Sequence, residues 1–133
     1  MIIQKMKPLL SCIIIEDEPL ATRRLQSLIG KQKHLFFAGN IDDIEEVNHL
    51  TFDHKNTDIV FLDLQIKGGN IVMLKKYLMS IPFIIVTSAL FPEHYPSFIK
   101  EREHFILQKP ISSIRFDDCL QMILEKNSVR EHV

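Results

Sequence analysis

Short apolar runs rich in β-branched residues alternate with stretches of helical period along nearly the whole chain, and few folds accommodate that alternation. Five runs, Cys12 to Ile15, Leu35 to Ala38, Ile59 to Leu62, Phe83 to Val86 and Phe105 to Leu107, are apolar nearly throughout rather than alternately polar. Such strands are buried on both faces, as in a parallel sheet covered by helices on either side. Between them, Ala21, Leu25, Leu28 and Ile29 fall at i, i+4, i+7 and i+8, as do Phe116, Leu120, Ile123 and Leu124. Each set predicts a helix with one apolar stripe. Pro19 suits a first helical turn and Gly30 follows the last periodic residue, which bounds the first helix near 19 and 29. Ser112 or Ser113 is placed to cap the last helix, with Asp117 and Asp118 near the positive end of its dipole.

The segment from Asp42 to Thr51 predicts a further helix on Ile44, Val47 and Leu50, and Ile71, Leu74, Tyr77 and Leu78 predict another. Phe91, Tyr95, Phe98 and Ile99 also keep helical spacing, but Pro92 and Pro96 lie among them. A proline in a helix interior costs about 3 kcal/mol, so the expectation there is an irregular loop followed by a short helix from near Pro96. The polar segment from Glu125 to Val133 is expected to be a fraying helix end.

The length of 133 residues suits one domain, expected over 10–126 between an N-terminal extension (1–9) and a C-terminal tail (127–133). Sixteen basic against seventeen acidic residues leave a net charge of -1, which supplies no general footprint for nucleic acid or an anionic membrane. No apolar run approaches the ~20 residues of a membrane span. Lys5, Lys7 and Pro8 break the run that a signal peptide needs, so a cytoplasmic location is expected. Cys12 and Cys119, far apart in apolar surroundings, read as reduced core residues, and the six histidines show no metal-ligand spacing.

In an open parallel sheet, ligands bind at the carboxyl ends of the strands, beside the point where strand order reverses. There the first strand ends in Glu16-Asp17-Glu18, the third in Asp63, the fourth in Thr87-Ser88 and the fifth in Lys109-Pro110. Several carboxylates held together are relieved by a raised pKa, a basic neighbour or a hard divalent cation, and oxygen-only ligands favour Mg²⁺. Asp63 is then either a ligand or a nucleophile that forms an acyl phosphate, with a hydroxyl at 88 and an ammonium at 109 stabilising the phosphoryl oxygens. Glu18 reads as a solvated loop acid or helix cap.

With these groups placed, residues 10 to 126 resemble the receiver (CheY-like) domain of two-component response regulators. The resemblance rests on Ile-Ile-Ile-Glu-Asp-Glu-Pro-Leu-Ala (13 to 21), Asp-Ile-Val-Phe-Leu-Asp-Leu-Gln (58 to 65), Val-Thr-Ser-Ala (86 to 89) and Gln-Lys-Pro-Ile (108 to 111), in the family's order. The first stretch is similar to receivers attached to LytTR-type (LytR/AlgR) DNA-binding domains. The resemblance implies a flavodoxin-like, doubly wound (βα)5 α/β fold with a five-stranded parallel sheet in the order 2-1-3-4-5. It further implies that Asp63 accepts a phosphoryl group from a sensor histidine kinase, with Asp17 and Asp63 binding Mg²⁺ directly. Glu16 acts through a water, the Gln65 carbonyl supplies a further ligand, Lys109 pairs with Asp63 or its phosphate, and Ser88, with Thr87 beside it, is the switch hydroxyl. Partners implied are the kinase, a second copy at the face of the fourth helix, fifth strand and fifth helix, and DNA only through an output domain outside this chain. A regulatory phosphoprotein rather than an enzyme is expected.

Three positions depart from the family's pattern. Lys67, followed by Gly68-Gly69, stands where a proline is usual four residues after the phosphoacceptor. Ile106 stands where the switch aromatic is usual, with Phe105 one place earlier, and Pro92 and Pro96 interrupt the fourth helix. These motivate a second reading, a receiver acting as a protein-binding adaptor without regulated phosphorylation. A third, a Mg²⁺ phosphatase with an aspartyl nucleophile, lacks the second Asp that such enzymes carry two residues on, where this chain has Gln65.

Overall fold

The computed structural model of the chain describes residues 9–49 and 54–131. Five strands, β1 (Leu10–Ile15), β2 (Leu35–Ile41), β3 (Ile59–Leu62), β4 (Phe83–Val86) and β5 (Phe105–Ile106), form one sheet in the order β2-β1-β3-β4-β5. Every pairing is parallel. The helices are α1 (Pro19–Gly30), α2 (Ile44–His49), α3 (Lys75–Leu78), α4 (Ser97–Lys100) and α5 (Ser113–Glu131). The expected doubly wound, flavodoxin-like fold and its strand order are therefore observed.

Successive side chains of a strand point to opposite faces, and the core divides accordingly. Cys12, Ile14, Phe61 and Ile85 pack with Leu25, Leu28 and Ile29 of α1 and with Phe116, Leu120 and Ile123 of α5. Ile13, Ile15, Val60, Leu62 and Val86 pack instead with Ile44, Leu74, Leu78, Phe98 and Ile99 from the α2 to α4 side. Both cysteines are buried free thiols whose pKa burial pushes up to about 12.

Several element boundaries differ from the sequence expectation. β2 runs to Ile41, because an edge strand needs one partner only and tolerates Gly39 and Asn40, and its register with β1 slips by one residue after Cys12. β5 ends at Ile106. The helix expected over 71 to 78 begins as a 3₁₀ turn, Ile71–Leu74, whose first turn is capped by Asn70 Oδ1 accepting the Val72 N–H at 2.9 Å. The proline-interrupted stretch is a 3₁₀ turn at Pro92–His94 followed by α4, which starts directly after Pro96. Ser112 caps α5, its Oγ accepting the Arg115 N–H at 3.1 Å.

The largest correction concerns the segment expected to fray from 125 onward: α5 continues to Glu131. Asn127 is buried on the stripe begun by Phe116, Leu120 and Ile123, and Lys126 pairs with Glu103 at 2.7 Å. Tertiary contacts hold a helix end whose own composition is polar. Leu50 and Thr51 of the second predicted helix, and residues 1–8, lie outside the described residues.

Candidate functional site

Because β1 lies between β2 and β3, chain connections leave it in opposite directions and a crevice opens at the carboxyl ends of β1 and β3. Main-chain hydrogen bonds continue past the strand ends and hold the residues that line it. Glu16 N–H donates to Ile41 O at 3.0 Å, Asp63 N–H to Ile15 O at 2.9 Å, Thr87 N–H to Leu62 O at 2.9 Å and Leu107 N–H to Val86 O at 2.9 Å. The side chains at 16, 63 and 87 are thus set by the sheet, not by free loops.

Glu16, Asp17 and Asp63 each offer a carboxylate oxygen within 4.8 Å of the others. Lys109 reaches across from the end of β5, with Nζ 2.8 Å from Glu16 Oε1 and 3.4 Å from Asp63 Oδ2. Its peptide bond to Pro110 is cis. Asp63 Oδ1 accepts the Gln65 N–H at 3.0 Å, while the Gln65 side chain is exposed. Asp17 Oδ2 accepts the Lys67 N–H at 2.8 Å. Ser88 is fully buried at the end of β4, and its Oγ accepts the Leu90 N–H at 3.2 Å. The neighbouring Thr87 hydroxyl is buried with no hydrogen-bond partner.

Burial raises the Glu16 pKa to about 7; the Asp63 charge adds to the rise, while the hydrogen bond and charge of Lys109 oppose it. Burial works against the charge on Lys109, but the hydrogen bond to Glu16 and the charges of Asp63, Glu16 and Glu18 outweigh it and raise its pKa. Glu16 Oε1 also accepts the Glu18 N–H at 3.2 Å, whereas Oε2 is buried and unpartnered. Three carboxylates face one ammonium, leaving an excess of negative charge and an unsatisfied hard oxygen. That donor set fits a hard divalent cation, and Glu16, Asp17 and Asp63 are the side chains that would hold it.

Three features escaped the sequence reading. Glu18 occupies the N-cap position of α1 without a side-chain cap bond and instead lies 3.9 Å from Lys109 Nζ. Arg24 Nε donates to Ile111 O at 3.1 Å and so ties α1 to the loop after Lys109-Pro110. The Lys67 main chain contacts Asp17. No local pattern announces these contacts, since each joins residues remote in sequence or uses main-chain atoms. At the position of the switch aromatic, the β4–β5 register is regular, Ile85 opposite Phe105 and Val86 opposite Ile106. Phe105 is buried and Ile106 faces solvent, so an aliphatic side chain occupies the outward position.

No family model matches the chain. It is 32% identical over 115 residues to Protein MrkE of Klebsiella pneumoniae, covering 84% of this chain and 42% of that protein. Transcriptional regulatory protein YpdB of Escherichia coli is likewise 32% identical over 115 residues, with 84% of this chain and 46% of that protein covered. The chain therefore spans less than half the length of these curated relatives. Among solved structures, the response regulatory domain of the Klebsiella protein superimposes with a TM-score of 0.73 at 28% identity, over 90% of this chain and 98% of that one. The structure of the CheX–CheY–BeF3–Mg²⁺ complex from Borrelia burgdorferi shares the fold, with a TM-score of 0.65 at 19% identity over 86% and 89% of the two chains. Fold, strand order and these relatives agree in giving the chain the CheY-like receiver fold, and the receiver domain of a response regulator is among the structures it resembles.

Proposed function

We propose that the chain is a phosphoacceptor receiver in which Asp63 takes a phosphoryl group from a phosphohistidine of a sensor histidine kinase. An Asp63 oxygen attacks phosphorus, the phosphorus–nitrogen bond of the donor breaks, and the imidazole leaves with the electron pair and takes up a proton. The observation that carries this reading is the pairing of Asp63 with Lys109 at 3.4 Å beside two further carboxylates on one sheet edge. Lys109 Nζ holds a positive charge where phosphoryl oxygens arrive, and positioning with charge neutralisation is most of what this transfer requires. The Gln65 N–H fixes the Asp63 carboxylate by its other oxygen. Ser88, buried at the end of the strand next to β3, is the hydroxyl that would bond the new phosphate after leaving the Leu90 N–H. Mg²⁺, held by Asp17 and Asp63 with Glu16 behind them and the Gln65 carbonyl as a further ligand, would neutralise charge on the transferred group.

The modified Asp63 would then favour one of two packings of the α4–β5–α5 face, where a second copy of the chain also fits the proposal. The output would be a LytTR-type DNA-binding domain, in keeping with relatives of which the match covers less than half, one of them a transcriptional regulator. The test is Mg²⁺-dependent labelling by acetyl phosphate or a phosphorylated kinase. The wild type should be labelled and Asp63→Asn should not, and absence of labelling with every donor overturns the proposal. Ile106, exposed where the switch aromatic is expected, favours a second reading as an adaptor. Equal binding of a partner by wild type and Asp63→Ala would select it.

A further inference from the structure

The turn after Asp63 carries a lysine where the family's usual residue is proline, and the consequence lies in the main chain. Lys67 N–H donates to Asp17 Oδ2 at 2.8 Å, and Lys67 O accepts the Ile44 N–H at 3.0 Å. One residue thereby bridges the first turn of α2 and the partly exposed acid of the triad. A proline at this position has no N–H to give. Gly68 allows the approach: its φ is +97°, and a Cβ there would collide with the Asp43 carboxylate and lie 2.8–2.9 Å from Asp43 Cγ and the Ile44 nitrogen. The Lys67 side chain is exposed.

We infer that the Lys67 main-chain N–H positions Asp17 for cation binding, so the affinity of the site depends on the turn after the phosphoacceptor and not on the Lys67 side chain. A surface carboxylate samples several rotamers, and capture of the cation must select one of them. Held by one oxygen, Asp17 keeps an oxygen within 4.8 Å of those of Glu16 and Asp63 before any ion arrives. The inference rests on the cation site of the proposed function and concerns only how one of its ligands is oriented.

The experiment is calorimetric titration of Mg²⁺ into the metal-free chain, with unfolding midpoints recorded in parallel. Loss of a hydrogen bond that orients a ligand typically weakens a metal site 10- to 100-fold, so Lys67→Pro should bind Mg²⁺ roughly tenfold or more weakly, while Lys67→Ala, which keeps the N–H, should stay within about twofold of wild type. If Lys67→Pro does not fold, a main-chain ester at residue 67, made by semisynthesis with the lysine side chain retained, removes the N–H alone and should show the same weakening. Wild-type affinity in Lys67→Pro or in the ester overturns the inference, as does equal weakening in Lys67→Ala. No Mg²⁺ binding by the wild type would instead overturn the cation site itself.

Discussion

Raising the pH of the metal-free protein should cost it stability through one buried side chain. Glu16 is 0% exposed, with one oxygen bonded to Lys109 and the other unpartnered, and its pKa stands at about 7 against an ordinary 4.5. Below pH 4.5 the carboxyl is protonated in both folded and unfolded chains and contributes no difference. Between 4.5 and 7 the folded chain keeps a proton that the unfolded chain has released, so each rise in pH favours unfolding, and above 7 the loss is complete. At 1.36 kcal/mol per tenfold change in proton affinity, the full loss is ~3 kcal/mol. Lys109, whose pKa is raised, keeps its proton across this window and adds no slope. The assay is urea unfolding in the presence of a chelator at pH values across this range, comparing wild type with Glu16→Gln. Glutamine does not titrate, so contributions of groups that do not interact with Glu16 cancel in the difference. The stability of wild type relative to Glu16→Gln should fall by ~3 kcal/mol as pH rises through the window. A flat difference, or one of opposite sign, refutes the electrostatic reasoning.

Phe61 is 1% exposed and stacks on Phe116 with ring centroids 5.7 Å apart, joining the central strand to α5. Phe61→Ala should cost about 3–5 kcal/mol in denaturant unfolding, through lost burial and the cavity left behind. Gly68→Ala should cost about 1–3 kcal/mol, because it imposes a positive φ on a residue with a Cβ and drives that carbon into Asp43. Gly30→Ala is the matched control: its Cβ would meet nothing within 4 Å at the end of α1, and a gain of up to about 1 kcal/mol is expected from the same assay.

In the proposed function, the phosphoryl chemistry and the switch fall to separate groups of this chain. Glu16 and Asp63 lie 2.8 and 3.4 Å from Lys109 Nζ, whereas the outward position of β5 holds Ile106 in place of an aromatic ring. Tyr95 adds a buried aromatic near the same region, its hydroxyl unpartnered and its ring edge-on to His104 at 5.9 Å.

Strand positions and the acids at strand ends were legible in the amino-acid sequence alone, because apolar runs and helical stripes are local patterns and the carboxyl edge of a parallel sheet is shared by every strand. Asp63 and Lys109 could be assigned to one site on that ground, although 46 residues separate them. The tertiary structure decided what depends on groups remote in sequence. The polar end of α5 stays helical because Asn127 is buried and Lys126 meets Glu103. Lys109 bonds more closely to Glu16, the fully buried acid, at 2.8 Å than to Asp63 at 3.4 Å. Arg24 and the Lys67 amide brace the site through main-chain atoms, which carry no residue code. Periodicity encodes which face a side chain takes; which partner it finds there is set by how closely separate segments approach, and only the folded chain fixes those distances.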